Sequence, residues 1–255
     1  HLNVFGYYSY DFFNMNNLTN YSYTNKGGAI NHHHRFNPGL SSELTLVASS
    51  YDYSTTDNNA VSSAYSHGYK INHNEMRFSL GWQPNEKHKL NFGGSAINYK
   101  LDRGVVEPYG VESKRQRLDL GNENGIEAAL FVDESYSPVY WLNIYAGVRF
   151  SSFRELGPKT VYNYEKGAPK NEYTVVDSTS YGSGDVINNY QGPELRASID
   201  FKLTPENSIK LSYMQMRQYL FMLSNTLAVA PGDQWKLSDS HIVPPKSYQY
   251  SIGYY

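Results

Sequence analysis

The residues best equipped for chemistry in this chain are His32-His33-His34, His73 with Glu75, and Asp52 with His67. Neutral imidazoles bind transition metals, and an imidazole beside a carboxylate is a common acid–base pair. The segments that carry them alternate in polarity, however, and successive side chains of an extended strand point to opposite faces. His32 and His34 then share a face with Ile30 and Phe36, while His33 shares the other with Asn31 and Arg35. The triplet cannot converge on one ion from within its own strand. The His–carboxylate spacings are those any chain of this composition contains by chance. No Ser nucleophile sits on a turn, no Gly-rich loop has phosphate-binding spacing, and no metal-ligand spacing appears. With no Cys among 255 residues, disulfide and thiol chemistry are excluded. We therefore expect binding or passage of a solute rather than catalysis, without metal or cofactor.

Composition narrows the class further. The formal charge is −2 and no basic stretch is interleaved with aromatics, so a nucleic-acid partner is not expected. Mean hydropathy is −0.60, and no apolar run approaches the roughly 18 residues of a spanning helix. A spanning strand shows only alternate residues to lipid, so low average hydropathy is compatible with a barrel. Tyr occurs 25 times against 11 Phe and 3 Trp. Such rings suit a membrane–water interface, with the body in the apolar layer and the tip wet. Secreted sugar-binding proteins share this excess.

The elements that must position these residues read as strands near 2–13, 28–36, 42–54, 70–82, 89–101, 125–136, 139–153, 193–203, 208–219 and 247–255. Tight turns are expected at Asn37-Pro38-Gly39, Gln83-Pro84-Asn85-Glu86, Ser137-Pro138 and Thr204-Pro205-Glu206-Asn207, and long loops over 14–27, 55–69, 102–124, 154–192 and 220–246. Ile126, Ala128, Leu130 and Val132 make one face opposite Glu127, Ala129, Phe131 and Asp133; Leu195, Ala197, Ile199, Phe201 and Leu203 oppose Glu194, Arg196, Ser198, Asp200 and Lys202. Tyr140 through Phe150 alternate likewise against Arg149 and its neighbours, and Met76, Phe78, Leu80 and Trp82 oppose Glu75 and Arg77. Polar faces that alternate in sign suit a solvated wall with cross-strand pairs. The fold class this predicts is all-β: an antiparallel transmembrane β-barrel of about ten strands, with short periplasmic turns and long extracellular loops. Glu75, Arg77, Glu127, Arg149, Glu194, Arg196, Asp200 and Lys202 would face the lumen. A soluble β-sandwich or propeller, apolar face inward, is the alternative.

The stretch following the strand at 208–219 is the most specific. It runs Arg217-Gln218-Tyr219-Leu220, Leu223-Ser224-Asn225-Thr226, Pro231-Gly232-Asp233-Gln234-Trp235 and Pro244-Pro245 into Tyr248-Gln249-Tyr250-Ser251-Ile252-Gly253-Tyr254. This order resembles the barrel domain of TonB-dependent outer-membrane receptors, in the branch with a carboxypeptidase-like N-terminal domain; the opening Asn3-Val4-Phe5-Gly6-Tyr7-Tyr8-Ser9-Tyr10 looks like a strand of the same branch. The resemblance implies a plugged barrel of about 22 strands, of which residues 1–255 form part of one domain, the plug and remaining strands lying outside it. It implies energised uptake of a scarce nutrient, such as a siderophore, cobalamin, glycan or peptide. The implied partners are outer-membrane lipid, the TonB–ExbB–ExbD complex acting through the plug, a small nutrient ligand and a surface lipoprotein. On this account Tyr109, Tyr162, Tyr164, Asp233, Gln234 and Trp235 are candidate extracellular ligand contacts, although Trp235 could equally pin its loop to the barrel rim. The other reading is a complete small ten-stranded barrel acting as a porin, adhesin or surface protease.

Overall fold

The computed structural model describes residues 1–223 and 234–255. The alternating sequence is extended almost throughout. Among the described residues ten long strands run antiparallel: β1 (Leu2–Met15), β2 (Thr19–Asn37), β3 (Leu40–Asp57), β4 (Tyr65–Asn85), β5 (His88–Asp102), β6 (Asn122–Val139), β7 (Leu142–Leu156), β8 (Val186–Lys202), β9 (Ser208–Arg217) and β10 (Lys246–Tyr254). Each is hydrogen-bonded to its neighbours in chain order, and β1 and β10 are the edges of an open sheet. At 21 residues, β4 is the longest. A rise of about 3.4 Å per residue makes it roughly 70 Å long, more than twice the hydrocarbon thickness of a bilayer.

Cross-strand register carries the two-faced pattern from strand to strand. One row runs Leu44, Phe78, Gly94, Leu130, Phe150, Pro193 across β3 to β8, and a row on the opposite face runs Glu75, Ile97, Glu127, Phe153, Tyr190. The apolar face is the exposed one: Leu130 is 72% and Ile252 78% accessible, while Ser151 and Phe153 on the other face are fully buried. In a soluble sandwich the apolar face would be the covered one. Here it is presented outward, as lipid requires, and the mixed polar face is inner. The architecture is that of a transmembrane β-barrel wall.

Two expectations about connections are corrected. Residues 14–27 are not a long loop. β1 and β2 pair from Leu2↔His32 to Met15↔Thr19, leaving only three connecting residues. Asn16 and Asn17 have φ of 53° and 57°, the left-handed pair that hairpin turns use and that Asn tolerates. The polar run was misleading because a strand projecting beyond lipid needs no apolar face. Ser137-Pro138 is likewise not the turn. The register shifts between Tyr136 and Val139, the chain reverses at Tyr140-Trp141, and Tyr140 stands 89% exposed at the apex rather than on the wall. The Gln83-Pro84 pair sits in a similar irregularity between Trp82 and Asn85. A proline has no N–H to give to the ladder, so a bulge accommodates it.

The long connections carry structure of their own. Val105–Pro108 adds to β4 and pairs with Leu118–Asp119. Lys159–Tyr164 and Val175–Tyr181 form a projecting ribbon. Leu220–Leu223 and Gln234–Leu237 form a short hairpin.

Candidate functional site

The hairpin after β9 folds over the inner face. Tyr219 and Leu237 pack with Tyr99 and Phe153, and the rings of Phe153 and Tyr219 stack 5.0 Å apart at 10°. Gly125 makes room for them: a Cβ there would lie 2.6 Å from two ring carbons of Phe153. Next to this cluster, Leu220 and Trp235 pack against Tyr53, Tyr69, Ile71 and Leu101. Each large apolar side chain removed from water contributes about 1.5–3 kcal/mol, so the hairpin is anchored on two apolar sites.

Buried ion pairs fix its position between them. The Lys236 ammonium donates to Glu123 Oε1 at 2.5 Å and Asp239 Oδ2 at 2.6 Å, and the Leu237 N–H donates to Glu123 Oε2 at 2.9 Å. Asp239 Oδ1 accepts from the N–H groups of His241 and Ile242. Lys159 completes the cluster, 2.7 Å from Glu155 and 3.5 Å from Asp239. Burial alone would raise the Asp239 carboxyl, but the hydrogen bond and charge of Lys236, the His241 N–H and the Lys159 charge outweigh it and hold its pKa at about 2. Burial would likewise lower the Lys159 ammonium, and the Glu155 and Asp239 carboxylates reverse that and raise it.

A second network lies below. Arg149 bridges Glu127 at 2.6 Å and Glu194 at 2.9 Å; Ser151 Oγ donates to Glu194 at 2.6 Å and meets the Tyr219 hydroxyl at 2.8 Å; the Tyr99 hydroxyl donates to Glu127 at 3.2 Å. Arg77 donates to Glu75 at 2.7 Å. Glu75, Arg77, Asn91, Asp133, Arg149 and Arg196 line a cavity of about 500 Å³ that opens on the inner face.

The eight residues expected on a lumenal wall all lie on this face by register. Glu127, Arg149 and Glu194 are brought together, Glu75 and Arg77 pair, and Arg196 reaches the cavity. Asp200 lies opposite Asn143 and Lys210, and Lys202 is exposed opposite Ser208. Of the six expected ligand contacts, the five among the described residues are not brought to one point. Tyr109 is exposed beside Ala64, its N–H donating to that carbonyl. Tyr162 is exposed on the ribbon, and Tyr164 meets His241 edge-on at 5.6 Å. Gln234 pairs with Leu223, Trp235 packs inward, and Asp233 lies outside the described residues. Glu123, Lys236, Asp239, Glu155 and Lys159 were missed by sequence reasoning. Glu123 and Glu155 continue the inner-face alternation of Glu127 and Ser151, which was a usable signal. Nothing local marks Lys236 as the partner of a carboxylate 113 positions away.

No family model and no curated protein matches this sequence. Solved structures do match. The copper transporter OprC superposes with a TM-score of 0.58 at 9% identity, covering 79% of this chain and 31% of that one. BauA, the ferric preacinetobactin receptor of Acinetobacter baumannii, gives 0.58 at 11% identity over 92% of this chain and 35% of its own. The closed form of Fiu, a ferric-catecholate import receptor from Escherichia coli K12, gives 0.55 at 14% identity over 92% and 38%. The chain thus has the fold of these proteins and spans about a third of their length.

Proposed function

We propose that residues 1–255 are part of the barrel domain of a TonB-dependent outer-membrane receptor that takes up a scarce nutrient. The observation that carries this reading is the hairpin clamped by buried ion pairs to the polar side of a wall whose apolar side is outermost. A loop folded inward over a charged inner face suits a barrel wide enough to hold a plug and a solute path. Similarity in fold to a ferric-catecholate import receptor, a ferric preacinetobactin receptor and a copper transporter supports the same reading. The open edges at β1 and β10 suit a wall continued by further strands rather than a closed ten-stranded porin, adhesin or protease. On this reading the protein is not an enzyme. The TonB–ExbB–ExbD complex supplies the energy through a plug, outer-membrane lipid surrounds the wall, and a surface lipoprotein can cap the loops. The Gln234-Trp235 hairpin borders the ligand path, and Tyr109, Tyr162 and Tyr164 lie on projecting loops. The test uses the native polypeptide carrying this sequence. Its intact mass from outer membranes should be several times 29.1 kDa, and its ligand uptake should stop when TonB is removed. A mass near 29.1 kDa, or uptake indifferent to TonB, refutes the proposal.

A further inference from the structure

The outward face changes character abruptly at one row of the sheet. Leu46, Met76, Ala96, Ala128 and Ser152 form the last mostly apolar row toward the long-loop end, and the next row runs Asn74, Asn98, Ile126, Arg154, Asn189. One register step further, Lys100 lies opposite Asn72 and Asn124.

Beneath this border the wall is indented. Gly94, Ala96 and Ala128 carry little or no side chain, while Met76 and Phe78 on one flank and Leu130 and Phe150 on the other stand proud, enclosing an apolar groove of about 490 Å³. Its apolar lining, two to three strands wide, suits a hydrocarbon segment lying against the sheet.

Above the groove, Lys100 and Arg154 are both exposed. Neither forms an ion pair among the described residues, although Lys70 on the same face is paired with Asp52 at 3.2 Å. Two strand spacings across the sheet, about 10 Å, and one row along it, about 7 Å, separate their backbones by about 12 Å, within reach of one anionic group held between two long cationic side chains. Asn98 lies two residues from Lys100 on the same strand and in the row of Arg154, with Ile126 between the two.

From this juxtaposition we infer that the outward face of β4–β7 is a specific site for a phosphorylated, acylated lipid of the outer leaflet. One acyl chain lies in the Gly94–Ala96–Ala128 groove. The phosphate sits between Lys100 and Arg154. The inference rests on the membrane-barrel reading above.

The test uses the full-length receptor purified from outer membranes in a neutral detergent and examined by native mass spectrometry. The added probes are a diphosphorylated lipid A, the same lipid dephosphorylated, and inorganic phosphate. Wild type should retain the phosphorylated lipid with at least tenfold preference over the dephosphorylated one, and inorganic phosphate at equal concentration should not displace it. Joint Lys100→Ala and Arg154→Ala substitution should lower occupancy at least fivefold. Ala128→Trp, which fills the groove and leaves both cations in place, should lower it comparably. Unchanged occupancy in both variants, or equal retention of the two lipids, overturns the lipid site while leaving the barrel reading intact. Displacement by inorganic phosphate overturns the acyl-chain part and with it the inference. Absence of the protein from the outer membrane overturns both readings.

Discussion

Replacing Glu123 by Ala should release the inward hairpin without unfolding the wall. Glu123 is 5% exposed and accepts from two groups of the hairpin, the Lys236 ammonium and the Leu237 N–H, with Arg103 3.7 Å away. Removing one member of a buried ion pair costs about 3–5 kcal/mol, mainly because the survivor stays charged and desolvated. Asp239 still faces Lys236 at 2.6 Å, which places this loss near the lower end. The Leu237 N–H is orphaned as well, at about 1–3 kcal/mol. The hairpin would shed part of both penalties by opening into water, so its opening free energy should fall by about 3 kcal/mol, roughly a hundredfold in population. Hydrogen exchange of the full-length protein in detergent reads this directly. The Leu237 and Ser238 amides should exchange about a hundredfold faster, and the Leu130 and Val148 amides in the wall should not change. Glu123→Gln keeps an acceptor for Leu237 and should fall between wild type and Glu123→Ala. Exchange at Leu237 and Ser238 within threefold of wild type, in a protein whose wall is intact, would refute the idea that this carboxylate holds the hairpin.

Three further outcomes follow from the same geometry. Asp239 has a folded pKa of about 2 against an ordinary 3.8. Its stabilisation is therefore complete above about pH 4 and lost as pH falls through about 2, worth about 1–2 kcal/mol after discounting for partial solvent screening. Hairpin amide protection measured from pH 6 to pH 2 should weaken over that window, and Asp239→Asn should remove that part of the dependence. Gly125→Ala should destabilise by about 1–3 kcal/mol through overpacking against Phe153, read as a lower urea midpoint; adding Phe153→Leu should recover part of the loss, and additive effects would show that the two do not touch. Leu130→Arg, on the outward face, should cost about 2–4 kcal/mol near mid-bilayer, read as a smaller folded fraction in lipid vesicles, and equal folding in vesicles would contradict a lipid-facing position.

The strand pattern was legible because a period of two survives any tertiary arrangement. Wherever one face of a sheet meets lipid and the other meets polar groups, alternation is imposed residue by residue, as in Ile126 to Asp133. The pattern became unreadable where both faces of a strand are polar. The upper half of β2, from Thr19 to Lys26, read as loop because no apolar face marked it, and only pairing with β1 and β3 revealed its extended form. Prolines misled for a related reason. Pro84 and Pro138 are usual turn residues, yet a strand edge bulge suits a residue without an N–H equally well, and cross-strand register decides between the two.

By itself, then, the sequence determined which residues share a face and which face is apolar, because these are local consequences of backbone geometry; how far a strand such as β2 runs beyond its two-faced part it did not. It also supplied the wall charges Glu127, Arg149 and Glu194 on one side. Only the tertiary structure decided that these three form a single bridge, that Gly125 leaves room for Phe153, and that Lys236 and Asp239 fold back onto Glu123 and Lys159. Such contacts depend on where a loop lands on a distant strand. Each of these residues would be equally compatible with solvent in a different path of the same chain, so no spacing in the sequence records the partner.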